Sequence, residues 1–279
     1  MEQDEKHADH AKEIFMNTQA RTRTFHTGIG ELPDVKTFET FPDGSLKSCI
    51  LDGPVTVRTP AGEWIPRWTD DGVRRKYNKS LSLYPSGSIR SIALHDQTPV
   101  QTSQGVIPAE HVAFYESGAV HRVFPCNGRI SGYWTEEDEK TLASTRTVSW
   151  GTQTLTASIM IYRFYMSGDL RSLTFWPGDE YKINTPLGPV LARTGVSFYE
   201  NGSVQSVEPA KPTPVPGAGG IRFAFDMDAP GLHGDSNSLR FAPDGTVISF
   251  VEEGVSTMPL MSLCGDCSTC ESGCGAKQA

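Results

Sequence analysis

The chain has 279 residues, a net charge of −8 and a pI near 5.4. With 37% apolar and 21% charged residues it is no disordered polyelectrolyte. An acidic balance speaks against nucleic acid as the main partner, because phosphate binding needs a basic face. No run approaches the ~20 apolar residues of a transmembrane helix. The 27 glycines and 19 prolines favour tight turns over long helices.

In chain order, residues 1–34 read as an N-terminal extension, partly helical around Glu2 to Met16 or disordered. Its charged start lacks the apolar stretch of a secretory signal, so the expected location is the cytoplasm. From residue 35 to 252 one pattern recurs six times: TFPDGSLKSC, LYPSGSIRSI, FYESGAVHRV, FYMSGDLRSL, FYENGSVQSV and FAPDGTVISF. Its turn glycines are Gly44, Gly87, Gly118, Gly168, Gly202 and Gly245. Asp-Gly and Asn-Gly supply the positive φ that tight hairpin turns demand, with Ser-Gly a weaker form. The flanks, as in Ser88-Ile89-Arg90-Ser91-Ile92, read as period-2 strands with one apolar face.

A second pattern follows most copies, in VTVRTPAGEWIP, PVQTSQGVIPA, YKINTPLGPVLA and TPVPGAGGIRF. Its glycines are Gly62, Gly105, Gly188 and either Gly219 or Gly220. Gly44 to Gly87 and Gly202 to Gly245 both span 43 residues, so the larger unit is a pair of hairpins. Two segments break the rhythm. FPCNGRISGYW reads as a truncated hairpin at Asn127-Gly128, and TEEDEKTLA (135–143) reads as a short helical insertion capped by Thr135. Asp138 stands at N3, where a full capping box has Glu or Gln. The predicted fold is all-β: antiparallel hairpin repeats in a twisted elongated sheet or solenoid-like array. A β-propeller is the alternative, since a 43-residue unit of four strands matches a blade.

The FYxSGxIxSI units resemble MORN-like repeats, over roughly residues 38 to 250, and a group of bacterial proteins that carry them. The resemblance implies an elongated sheet used as an interaction surface, with a protein partner. No catalytic residue comes with it. The expected function is therefore a non-enzymatic scaffold for protein or ligand interaction.

Residues 253–279 form a Cys-rich tail. Cys264, Cys267, Cys270 and Cys274 stand as C-x2-C-x2-C-x3-C, a bacterial ferredoxin spacing. Thiolates so placed suit a 4Fe-4S cluster or zinc. Gly275 replaces the usual Pro, no second run exists, and few apolar residues would shield a cluster, so a plain thiol tail stays open. A redox or metal-binding accessory protein is the alternative function. Cys49 and Cys126 read as core or turn residues.

Other candidates are weaker. GLHGDSNSLRF groups His233, Asp235, Ser236 and Asn237, which invites a hydrolase reading, but without the G-x-S-x-G context it reads as a polar loop. Trp64 and Trp68 read as a binding platform or an edge cap, and Trp134 and Trp176 as residues near hairpin ends. His95, His111 and His121 lack metal spacing and read as surface or satisfied core residues. Arg74-Arg75-Lys76, followed by Lys79, reads as a solvated face.

Overall fold

The computed structural model describes residues 23–68, 74–75, 77–130, 135–217, 219–229 and 233–254. They build one large antiparallel sheet of 14 strands, four two-stranded ribbons and, among the described residues, one helix. Strands follow one another across the sheet in chain order, from Arg23–Thr27 to Val247–Ser249. The sheet is open and continuous. Propeller blades would be separate four-stranded sheets, so the propeller alternative does not describe this molecule.

All six glycine turns are chain reversals of one geometry. The turn glycines have φ between 79° and 92°. Each donates its N–H to the carbonyl three residues back, as Gly87 does to Tyr84 at 2.9 Å. The residue opening each turn donates to the carbonyl four residues on, as Tyr84 does to Ser88 at 2.9 Å. The strand after each turn carries a bulge at the same place, at Lys47, Arg90, His121, Arg171, Gln205 and Ile248. This corrects the simple alternation read from sequence. Ile89 and Ile92 are three apart, and an unbroken pleat would send them to opposite faces. The extra residue Arg90 restores both to the core side.

The core face is a row of register partners: Cys49, Leu81, Ile92, Val112, Val123, Tyr162, Leu173, Val196, Val207 and Leu239. Every member is buried. Only the first residue of the row, Phe38, stands 43% exposed, packed edge-on to Phe25 at 4.9 Å.

The second pattern also forms hairpins. Val57–Thr59 pairs with Gly62–Trp64, Tyr181–Thr185 with Gly188–Phe198, and Thr213–Gly217 with Gly220–Ala224. Ile89–Thr102 and Gly105–Phe114 run through both hairpin types as two long strands. Two further members escaped the sequence reading, Thr27-to-Gly30 and Arg146–Trp150 with Gln153–Ala157. The threonines Thr27, Thr59, Thr102 and Thr185 each donate a hydroxyl to the glycine carbonyl three residues on, all at 2.8 Å. These side hairpins cover the core face: Trp64 meets Phe114 at 5.9 Å and Trp150 meets Phe198 at 4.9 Å. Their tips rest on glycine turns further along the sheet. A methyl group on Gly118 would lie 2.7 Å from Pro60 Cγ, and one on Gly245 would lie 3.1 Å from Pro186 Cβ.

Three local expectations change. The sheet begins at Arg23, so the hairpin region reaches into the segment read as an N-terminal extension; the helix expected around Glu2 to Met16 lies outside the described residues. Asn127-Gly128 does not close a hairpin: Arg129–Ile130 pairs with the distant Arg74–Arg75. The capping box is complete, because Asp138 accepts the Thr135 N–H at 2.9 Å while Thr135 Oγ1 accepts the Asp138 N–H at 3.2 Å. The shorter carboxylate reaches back as a Glu would, and the helix Glu136–Leu142 forms there. Among the described residues no helix is long and apolar enough to cross a membrane.

Candidate functional site

The tyrosines that open the turns tie each hairpin to the next. Tyr84 donates its hydroxyl to Phe114 O, Tyr115 to Phe164 O, Tyr165 to Phe198 O and Tyr199 to Phe241 O, at 2.7 to 2.9 Å. The bulge residues stack on these rings: Arg90 on Tyr84, His121 on Tyr115 and Arg171 on Tyr165. This framework fixes the second face of the sheet.

That face carries a polar row. Its register partners run Glu39, Ser48, Ser82, Ser91, Ala113, Arg122, Arg163, Ser172, Ser197, Ser206, Arg240 and Ser249. Two segments lie over it. Tyr77 places its hydroxyl between Ser82 Oγ and Ser91 Oγ, at 2.7 and 2.8 Å, and its ring 4.4 Å from His111. Asn127 and Gly128 hold this side down by donating backbone N–H groups to Glu110 and Glu139, both at 2.9 Å.

The second cover is the His233 loop. Gly234 N donates to Thr174 Oγ1 at 2.9 Å, and Asn237 Nδ2 donates to Ser206 Oγ at 2.9 Å and Gly234 O at 2.6 Å. Ser238 donates through N and Oγ to the buried Glu208 at 2.8 and 2.9 Å. Burial pushes the Glu208 carboxyl above its usual range, against these two bonds. The polar composition of the loop is thus explained by docking. Asp235 pairs with Arg163, not with His233, so the residues that invited a hydrolase reading do not form a triad.

Arg122 and Arg163 lie at the seam between the two covers, directly opposite each other in register. Arg163 Nε donates to His121 Nε2 at 3.1 Å. Burial, then the guanidiniums of Arg122, Arg163 and Arg171, lower the His121 imidazole to about 3, so it is a neutral acceptor at physiological pH. Desolvation and the guanidiniums of Arg122 and Arg163 lower His233 too. The result is an electropositive centre on an acidic protein. It has no nucleophile paired to a base, so its chemistry is recognition by charge and hydrogen bonding.

The remaining candidates fall elsewhere. Trp64 and Trp176 are buried, so neither offers a platform nor caps an edge. Trp68 stacks on His95 at 3.6 Å, and Trp134 lies outside the described residues. His111 is buried but unsatisfied: its Nε2 has no partner, which corrects the expectation of a satisfied core histidine. Cys49 is a core residue whose thiol burial pushes up to about 12, and Cys126 Sγ lies 3.8 Å from Glu139 O. Arg74 and Arg75 pair as a strand, and Lys79 bonds Glu39 at 2.9 Å. Among the described residues no group of three His, Cys, Asp or Glu could hold a metal. Cys264, Cys267, Cys270 and Cys274 lie outside the described residues.

Sequence reasoning passed over Arg122 and Arg163. The signal was present at Arg122, where VHRV departs from the Ser of IRSI and LRSL. Compared with family models and with curated proteins, the chain matches none.

Proposed function

We propose that this chain is a MORN-like hairpin-repeat scaffold, without catalytic activity, that presents the polar face of its sheet to a protein or ligand partner. The observation that carries the reading is the unbroken row from Glu39 to Ser249, a face of short polar side chains and arginines held flat by a tyrosine-linked frame. Short side chains leave a surface that a partner can approach, and the frame supplies the rigidity that limits the entropy lost on binding. The acidic balance supports a partner other than nucleic acid.

The test is capture of a partner from the native host by the full chain, followed by two charge reversals. Arg240→Glu alters the polar row, and Arg58→Glu alters the outer side of a side hairpin, where the arginine side chain is 85% exposed. Loss of the captured partner with Arg240→Glu alone is the expected result; capture indifferent to both substitutions would end the reading.

The spacing of Cys264, Cys267, Cys270 and Cys274 supports a second role, a metal-bearing tail on the same scaffold. Anaerobic purification with metal analysis decides it: iron with sulfide indicates a 4Fe-4S centre, zinc alone a structural tail, and neither removes the role.

A further inference from the structure

We infer that Arg122 and Arg163, with Arg171 beside them, form a binding site for a phosphate-type oxyanion; this rests on the polar face being an interaction surface. Like charges directly opposite in an antiparallel pair are destabilising, and Arg122 opposite Arg163 is such a pair. A fold that keeps it carries a local cost that a bound anion would offset. Among the described residues the one carboxylate ion-paired here is Asp235, and it engages Arg163. Arg122 and Arg171 have no acidic partner among the described residues.

His121 and His233 stay neutral, so they add no charge of either sign. His121 instead holds Arg163 through the Nε bond. Three guanidiniums against one carboxylate leave two positive charges, which a phosphate monoester dianion matches. Planar guanidinium forks suit phosphate oxygens, and two of them side by side can grip one group. The two covers on either side leave this seam as the part of the face where the arginine pair sits.

Calorimetric titration of the full chain at low salt tests the site, with three probes: inorganic phosphate, a phosphoserine peptide and the same peptide unphosphorylated. Saturable binding of the first two and none of the third is expected. Arg122→Gln should weaken binding about tenfold or more, the usual value of a hydrogen bond to a charged group. Arg240→Gln, the same charge change elsewhere in the row, should leave it within about twofold. Asp235→Asn, which frees Arg163, should tighten it. If Arg122→Gln fails to fold, Arg122→Lys keeps the charge, loses the fork, and should still weaken binding.

Absence of saturable phosphate binding overturns the site. So does equal binding of the two peptides, or equal loss in Arg122→Gln and Arg240→Gln. A chain that captures its partner yet ignores phosphate loses the site and keeps the scaffold; one that binds phosphate but captures nothing does the reverse.

Discussion

Ser172 and Leu173 are neighbours in sequence and lie on opposite faces of one sheet. Leu173 belongs to a row packed under the side hairpins, where burial of apolar area drives folding. Ser172 belongs to a row that is also buried in places, yet by tyrosine, asparagine and a docked loop. Its members therefore need hydrogen-bond partners, and they find them in Tyr77 and Asn237. The same strands thus face two environments, and the cost of a change should depend on which face it strikes.

The largest effect belongs to the core row. Leu173→Ala should cost about 2–5 kcal/mol by chemical denaturation, through lost transfer energy and a residual cavity. Ser172→Ala, one residue away, should cost far less, and equal costs would erase the distinction between the faces. Next comes the loop that covers the polar face. A methyl group on Gly195 would collide with Leu173 O and Gly234 Cα, so Gly195→Ala should push the His233 loop off the sheet. Faster hydrogen exchange at Gly234 and Ser238, with the core amides still protected, is the expected signature.

A smaller loss tests the frame itself. Tyr165→Phe removes the hydroxyl that bonds Phe198 O and should cost about 1 kcal/mol, read as a shifted denaturation midpoint. The smallest static effect is expected at the surface: Lys36→Ala breaks its exposed pair with Asp52 and should cost at most about 1 kcal/mol.

Acid sensitivity separates the faces in another way, because the strongly lowered histidines belong to the polar side. Burial, then the Arg122 guanidinium, lowers His111 from 6.5 to about 3. Between these values the unfolded chain binds a proton that the folded chain refuses, so stability rises with pH through this window and falls as acid is added. Thermal midpoints should drop as the pH falls below about 6.5, and His111→Phe should flatten that slope. A slope unchanged by the substitution would place the acid sensitivity elsewhere.

Much of the frame was readable in residues alone. Asp-Gly, Asn-Gly and Ser-Gly at Gly44, Gly87, Gly118, Gly168, Gly202 and Gly245 demand a reversal wherever they occur, because their conformation is local. The helix at Glu136–Leu142 was likewise visible in its cap and its acidic first turn. The bulges were hidden, since Ile89-Arg90-Ser91-Ile92 resembles alternation unless one counts the three-residue step between the isoleucines. The hairpin over Arg146–Trp150 was hidden too, because Gly151-Thr152 lacks the proline-and-glycine signature of its counterparts.

What sequence determined by itself, then, is where the chain turns and that its strands share an apolar side; both depend on a few adjacent residues. Only tertiary structure decided that Arg122 lies against Arg163 and that the His233 loop lands on Thr174 and Ser206. The strand holding Arg163 pairs with the strand holding Arg122 across more than thirty intervening residues, and the loop reaches its contacts from the far end of the sheet. Such meetings are set by how whole hairpins pack side by side, and no local pattern encodes them.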